Sequence, residues 1–450
     1  MDVVDTDTHP PFILGDWIGQ GINYDSDKLP YEVLSSVRPK AFIRRSKKSK
    51  GLSRNLKAEV RISNLRSDLN YSIGRTTLKK LQKKFNIPTV RKAPPIEVSR
   101  QAVIEQVEKD AMQTNGPNYF KTVLQQEGIM IPRDTIRKIM GEHYPLGFDN
   151  RFPGKRKGAI PRTALNSNGP FHEVSSDGHE KLGKQALDMG DIGLPIYGYK
   201  DKWTYTALDL RFVPNSRTTA AIGHLYLDLI ETTGTIPIQL TMDKGSEIGW
   251  PYAIQDALQH AFAPDIDPKI YPVCRLIKSV HNKIIEGFWR WFKEKKGLNL
   301  KTVILVGKQQ RIFSPIVEFH LPLFYWIFVP LLQAELDEFR RFWNHQRVRT
   351  QPEKNMPSGH VPYDVLDHPQ NYGGLDCRIP VPQEAVDGLR KMVTEDVGPR
   401  EDHLSWVSND FNNLAHAIYE QIGKPELSLS TAWDVFQAML EPMANIIEVS

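Results

Sequence analysis

The chain has 450 residues, of which 40% are hydrophobic, 10% aromatic and 25% charged, with a formal net charge of +5. This composition excludes a wholly disordered, collagen-like or coiled-coil protein, and the length suffices for several domains with a sizeable core. The two cysteines, Cys274 and Cys377, lie far apart without Cys or His at metal-ligand spacing beside them. A disulfide framework and a structural zinc module are therefore excluded as well.

The small net charge conceals a strong asymmetry along the chain. Residues 31–100 contain 19 Lys and Arg against 4 Asp and Glu, whereas residues 381–450 contain 4 against 12. A basic N-terminal third followed by a more acidic remainder indicates a module that binds a polyanion. Basic side chains that only solvate helix faces are the alternative interpretation of the charge alone.

The first predicted elements are helical and basic. Residues 1–30 read as an irregular leader without the pattern of a secretory signal, and residues 31–95 as a basic helix-turn-helix unit. After a turn at 70–74, an apolar face is formed by Leu78, Leu81 and Phe85. A helix-turn-helix places its second helix in the major groove of DNA. The predicted DNA contacts on this helix are Arg75, Lys79, Lys80 and Lys83.

A second helix-turn-helix unit is predicted over 96–145, followed by a basic linker over 146–165. Pro132 suits the first turn of its last helix. That helix would direct Ile136, Ile139 and Met140 inward. Its predicted DNA contacts are Arg133, Arg137 and Lys138. An ordinary helical bundle with solvated charges is the alternative for both units.

Beyond the linker the pattern changes to that of an α/β domain. One predicted strand ends at Asp177 and another at Asp243, and Glu286 lies in the first turns of a long helix predicted from about 279 to 296. Functional groups gather at strand ends in such sheets, and three carboxylates brought together need a cation or a proton to offset their repulsion. Mg²⁺ prefers oxygen ligands, and two such metal ions in one site can promote the displacement at a phosphodiester. Spacing alone is unspecific, because the chain has 53 acidic residues.

The sequence around the three acids is more specific than their spacing. The segments that begin Ser176-Asp177-Gly178 and Asp243-Lys244-Gly245, together with Asn282-x-x-x-Glu286-x-x-Trp289, resemble the three catalytic motifs of the DDE integrase core. Retroviral integrases, retrotransposon integrases and related transposases share that core. Residues 344–349 and 357–359 resemble the segment that closes it. The nearest likeness is to integrase-core proteins derived from mobile elements in fungal genomes.

This resemblance covers residues 166–375 and implies an α/β fold: a ribonuclease-H-like core with a mixed sheet flanked by helices. All-α helix-turn-helix units would precede the core, and an acidic helical tail would follow over 376–450. The resemblance implies that Asp177, Asp243 and Glu286 are catalytic and bind Mg²⁺ or Mn²⁺. Further DNA contacts are predicted at Lys244, Asn282, Arg290 and Lys293. Because the second spacing is longer than in retroviral integrases, an insertion is expected to loop out around 263–272.

The predicted function is a polynucleotidyl transferase that cleaves DNA at an element end and joins it to target DNA. Its partners would be double-stranded DNA and further copies of the chain, without a membrane, in the nucleus if the source is eukaryotic. Two alternatives remain: a catalytically inactive, domesticated DNA-binding protein that keeps the fold, and a ribonuclease-H-like nuclease. The tail is expected to pack on the core, to mediate oligomerisation or to shield the basic module.

Several side chains near the triad are assigned supporting roles at this stage. Glu180 and Glu247 are expected to support loops or partners rather than to hold metal, and Asp201 to be structural. Aromatic residues around Glu286 are expected to pack in the core rather than to stack on bases. They are Phe288, Trp289, Trp291 and Phe292.

Overall fold

The computed structural model describes residues 56–84, 87–144, 167–277, 282–351 and 356–447, which fall into two compact units. The predicted leader (1–30) and basic linker (146–165) lie outside the described residues. Within the smaller unit, α1 (Ala58–Leu69) and α2 (Arg75–Lys84) are joined by the predicted turn, where Asn70 adopts a left-handed conformation. Leu78 and Leu81 are buried as predicted, and Phe85 lies outside the described part. The predicted DNA contacts on α2 are all exposed.

Three helices begin the larger unit: α3 (Ile96–Glu108), α4 (Pro117–Gln126) and α5 (Arg133–His143). Pro117 begins α4 without loss of a hydrogen bond, and Gly128 turns the chain towards α5 with φ 82°. The inward residues of α5 pack against α3 and α4, while its basic residues remain exposed. Sequence periodicity therefore assigned the two faces of α5 correctly.

A mixed five-stranded sheet forms the centre of the larger unit. Its strands are β1 (Glu173–His179), β2 (Ile196–Asp201), β3 (Ala207–Phe212), β5 (Gln239–Asp243) and β6 (Cys274–Ile277), and a short helix, α6 (Lys184–Leu187), precedes β2. In the order β3-β2-β1-β5-β6, the first three strands are antiparallel and the last two run parallel to β1. Strand β1 continues two residues past Asp177, contrary to the prediction, because Asp177 pairs with Gly198 inside the ladder.

Helices cover the sheet through two hydrophobic clusters. The α7 cluster gathers around α7 (Thr219–Thr233) and α8 (Gly249–Phe262) and includes Tyr199 and Leu240. The α11 cluster gathers around α9 (Lys283–Phe292), α10 (Leu298–Gln309) and α11 (His320–His345), and includes Ile196 and Leu210. Strand β2 thus supplies both clusters, since neighbouring residues of a strand point to opposite faces. Phe288, Trp289 and Phe292 are buried, as predicted, whereas Trp291 is 38% exposed.

Two connections differ from simple helical or strand patterns. The α-helical part of the predicted long helix ends at Phe292, and a π-helical turn, Lys293–Gly297, connects it to α10. The predicted start of this helix at 279–281 lies outside the described residues. Residues 263–273 join α8 to β6 without helix or strand, at the place where an insertion was expected. Both connections leave α9 packed against β1.

The C-terminal helices pack on the core. After α12 (Pro362–Asp367) come α13 (Gln383–Val397), α14 (Arg400–Leu404), α15 (Asn409–Gln421) and α16 (Ala432–Ile447), and a short pair, β4 (Thr235–Ile236) with β7 (Ile379–Pro380), ties this region to the core. Trp433 and Phe436 belong to the α11 cluster, and Val386 and Val393 to the α7 cluster. Of the three roles expected for the tail, packing on the core is the one that the structure displays.

The outer edge of strand β3 is covered by side chains of α11. The Asn344 amide accepts from the backbone N–H of Ala207 and donates to its carbonyl, both at 2.9 Å. Arg340 donates to the carbonyl of Leu208 at 2.9 Å. An open sheet edge invites pairing with other strands, so this cover protects the β3 edge. None of the described helices is long and apolar enough to cross a membrane.

Candidate active site

One cleft of about 990 Å³ is lined by all three predicted acids, Asp177, Asp243 and Glu286. Asp177 lies near the carboxyl end of β1, and Asp243 is the last residue of the neighbouring parallel strand β5. Both residues therefore lie at the same edge of the sheet. Glu286 lies in the first turn of α9. Asp177 is buried, Asp243 half-buried and Glu286 exposed. The fold therefore gathers residues that are distant in the sequence, and their catalytic role remains a prediction.

The Asp177 carboxyl is affected by the charges of the other two acids. Burial and, after it, the negative charges of Asp243 and Glu286 raise the pKa of Asp177 to about 8. Hydrogen bonds from Trp289 and Gly178 oppose this shift only in part. A site in which acids resist joint ionisation is one where a bound cation relieves repulsion.

Two further acids line the same cleft. Burial, with a smaller contribution from the hydrogen bond and the charge of Asp243, raises the pKa of Glu247 to about 7. The Glu247 carboxylate lies directly against the Cα of Gly245. Glu180 is exposed and accepts a hydrogen bond of 2.6 Å from Arg217. Both acids thus have side-chain partners, and their supporting roles remain a prediction.

The motif Asn282-x-x-x-Glu286-x-x-Trp289 anchors α9 to strand β1 at two points. The Asn282 amide donates to the carbonyl of Ser176 at 3.2 Å, and the Trp289 indole N–H donates to Asp177 Oδ2 at 3.0 Å. Glu286 lies between these anchors, one turn from each. Asn282 is 2% exposed, so the prediction that it contacts DNA is wrong: its amide is used inside the protein. The sequence analysis did not predict the hydrogen bond from Trp289 to Asp177. The position of Trp289, three residues after Glu286 in the motif, was the available signal.

Basic side chains rim the cleft. Arg290 and Lys293 are exposed and line it, whereas Lys244 is exposed without lining it. Lys181 and Arg217 line it too, and the sequence analysis did not select them. Such side chains suit the phosphates of a nucleic acid. DNA contact by these residues remains a prediction.

The acids have the chemistry that a hard divalent cation requires. Over the described ranges, no group of three or more His, Cys, Asp or Glu side chains is drawn together closely enough to hold a metal ion. The donors that line the cleft are nevertheless carboxylate oxygens, which Mg²⁺ and Mn²⁺ prefer. The shared cleft and its carboxylate donors thus suit a divalent cation in kind, whereas the described side chains are not drawn together into a ligand set.

The sheet order and the cleft define a ribonuclease-H-like α/β fold with an acidic site at one edge of its sheet. Residues 273–361 match the family model of the integrase core domain. The match includes β6, the Glu286 helix and Asn344, but neither Asp177 nor Asp243. It supports an assignment to the integrase and transposase superfamily, whereas a closer likeness to fungal proteins stays a prediction. No curated protein matches the chain.

Proposed function

We propose that this chain is a DDE-type polynucleotidyl transferase, an integrase or transposase that cleaves and joins DNA. The observation that carries the proposal is the cleft shared by Asp177, Asp243 and Glu286, which come from two strands and a helix. The match to the integrase core domain over 273–361 supports the same class independently of the first two acids.

The reaction consists of two phosphodiester displacements. A water first attacks the phosphorus at an element end, and the broken P–O bond leaves a 3′-hydroxyl. That hydroxyl then attacks a phosphodiester of the target, and the target's own 3′-oxygen departs. Mg²⁺ or Mn²⁺ held by Asp177, Asp243 and Glu286 would supply activation of the attacking oxygen and stabilisation of the leaving oxygen.

The other residues of the cleft position the DNA. Arg290 and Lys293 follow Glu286 by four and seven residues, so they lie along the same face of the helix region and offer charge to the strand that is cleaved. Lys244 would contact the backbone from outside the cleft. The exposed basic residues of α2 and α5 would hold the duplex through its phosphates.

The proposal implies particular partners and a particular location. The partners would be double-stranded DNA at element ends and at the target, and a second copy of the chain would allow two ends to be held together. In a eukaryotic source this reaction requires access to the nucleus.

Metal-dependent cleavage and strand transfer on labelled duplex DNA test the proposal. We expect Asp177→Asn and Glu286→Gln each to lower the rate with Mg²⁺ by more than about 100-fold, because ligands to such ions stabilise charge in the transition state by several kcal/mol. Glu180→Gln is the matched control, since Glu180 lines the same cleft but pairs with Arg217. Its rate should stay within about threefold of the unaltered chain.

Three outcomes would contradict the proposal. Equal rates for Asp177→Asn and the unaltered chain would remove the catalytic role of the cleft. Tight duplex binding without cleavage under any metal condition would indicate the inactive DNA-binding protein. Faster cleavage of RNA–DNA hybrids than of duplex DNA would indicate a ribonuclease-H-like nuclease.

A further inference from the structure

The Trp289 side chain occupies a seat built by strands β1 and β2. Gly198 lies directly across the ladder from Asp177, and a Cβ added there would be 2.8 Å from Trp289 Cη2. Since real Cβ contacts are not that short, only glycine leaves room for the indole at this position. His179 stacks on the indole, with ring centroids 4.9 Å apart and planes 18° apart. The indole is 2% exposed.

The polar atom of this indole meets a site residue. A buried tryptophan N–H is a donor without acceptor capacity, so it needs an acceptor nearby. Here the acceptor is Asp177 Oδ2 at 3.0 Å, and Asp177 itself is only 7% exposed. The seat therefore orients a donor at one oxygen of the first acid in the cleft.

The same helix also carries the third acid. Glu286 is three residues before Trp289, and Asn282 fixes the start of the helix to the carbonyl of Ser176, next to Asp177. Two hydrogen bonds from one helix thus join it to consecutive residues of β1. A shift of α9 along the strand would lengthen both bonds, so they help to fix the position of Glu286 relative to Asp177.

We propose that Trp289 is a positioning residue: its indole N–H, seated between Gly198 and His179, holds the Asp177 carboxylate in the orientation that receives a divalent cation. This inference rests on the proposed function, because it assigns a partner group to one of the proposed metal ligands. Groups that orient metal ligands in this way typically alter metal affinity or activity by about 10- to 100-fold when removed.

The substitution Trp289→Phe tests the inference, because it keeps an aromatic ring in the seat and removes only the N–H donor and part of the ring. Mn²⁺ binding to the full chain without DNA is measured by electron paramagnetic resonance, and cleavage is titrated with Mg²⁺. We expect the Mn²⁺ dissociation constant and the Mg²⁺ concentration for half-maximal cleavage to rise about 10-fold or more. Trp291→Phe is the matched control: Trp291 is on the same helix, 38% exposed, and should show no change.

A loss of folding is separated from a loss of positioning by thermal unfolding and by a second variant. Gly198→Ala keeps the N–H but places a methyl group against the indole. It should weaken Mn²⁺ binding in the same direction, and it decides the matter if Trp289→Phe does not fold.

The outcomes distinguish this inference from the proposed function. If Trp289→Phe or a folded Gly198→Ala binds Mn²⁺ as tightly as the unaltered chain, while Asp177→Asn abolishes cleavage, Trp289 only fills space and the inference fails alone. If the unaltered chain neither binds Mn²⁺ nor cleaves DNA, both the inference and the proposed function fail.

Discussion

Glu173, the first residue of β1, forms a buried ion pair away from the cleft. Its Oε2 accepts from Lys202 Nζ at 2.6 Å, and its Oε1 accepts from the Thr241 hydroxyl at 3.0 Å. Both charged side chains are less than a tenth exposed. One carboxylate therefore ties β1 to strand β5 and to the residue that follows β2, and it helps to fix the register on which the site depends.

Replacing Glu173 by Gln should destabilise the larger unit. The substitution leaves the Lys202 ammonium buried without a counter-charge, and breaking such a pair costs about 3–5 kcal/mol in the free energy of unfolding. Urea unfolding followed by tryptophan fluorescence measures the loss. Glu395→Gln is the control, because its pair with Lys391 is 3.8 Å long and exposed, so we expect a change of less than about 0.5 kcal/mol. Equal stabilities for the two variants would contradict this interpretation.

Part of the site was predictable from sequence at the residue scale. The three acids were identified because each stands in a short local motif, and Asp201 was expected to be structural. The latter is confirmed, since Asp201 is fully buried and accepts from the backbone N–H groups of Phe171 and Thr204, both at 2.7 Å. The seat of Trp289 was not predictable, because Gly198 faces Asp177 only once the strand register is set.

At the scale of elements, α11 serves as the cover of a sheet edge. Gln333 adds to the bonds of Asn344 and Arg340: it accepts from the Phe212 N–H and donates to the Leu210 carbonyl, both at 3.0 Å. The three covering residues recur at positions 333, 340 and 344 along one face of the helix. Asn344 begins the segment that resembles the close of integrase cores, so the structure gives that asparagine a role in the fold.

Asn344→Ala should open this edge. The Ala207 N–H and carbonyl are buried, and leaving two such groups without partners costs about 2–5 kcal/mol. Hydrogen exchange of the β3 amides should accelerate, and the thermal unfolding temperature should fall. Asn413→Ala serves as the control, because Asn413 is exposed on α15 and should change stability by less than about 0.5 kcal/mol. Unchanged exchange in β3 would show that the amide of Asn344 does not protect the edge.

The π-helical turn shows where element prediction from sequence stops. The apolar spacing through Phe292 suits a helix, and the basic residues that follow fit its solvent side, so one helix to Lys296 was predicted. A wider turn changes the hydrogen bonds of only five residues, and a periodicity of 3.6 does not detect so short a change. Its consequence is large, because Lys296 is only 8% exposed instead of solvated.

At the scale of the larger of the two compact units, the π-helical turn at 293–297 joins helices α3 to α5 to the domain that contains the sheet. Residues 110–115, between α3 and α4, bind the segment directly after α9. Thr114 donates to the Glu294 carbonyl at 2.8 Å, and Asn115 donates to the Lys295 carbonyl at 3.1 Å. Asn299 donates to Asp110 at 2.8 Å. Helices α3 to α5, of which α5 has the predicted basic face, are therefore fixed to the segment that follows the Glu286 helix.

Lys296→Met should loosen this joint. Burial lowers the pKa of Lys296, but the neighbouring Tyr119, Glu338 and Glu335 outweigh burial and keep the ammonium charged. Without it, the two glutamates are left partly buried beside each other, at a cost of about 3 kcal/mol or more. Hydrogen exchange should rise in both 110–115 and 293–299. Lys301→Met, on the adjacent helix α10, is the control; equal exchange in both variants would rule out the proposed role of Lys296.

The extent of the core was the part least accessible to sequence reasoning. The shift to acidic composition indicated a helical tail over 376–450, and it left packing on the core as one of three expected roles. Charge, however, reports only the solvent faces of those helices, whereas Trp433 and Phe436 point into the α11 cluster. A composition boundary is therefore not a packing boundary in this chain.

This arrangement has a consequence for biosynthesis. A ribosome releases Phe324 and Phe328 long before it has translated Trp433, whose ring lies 5.8 and 4.6 Å from theirs. Until about a hundred further residues have emerged, a broad apolar surface on the nascent polypeptide lacks its native cover. The central sheet can begin to assemble during synthesis, whereas the α11 cluster is completed only after the helix that carries Trp433 and Phe436 has been translated.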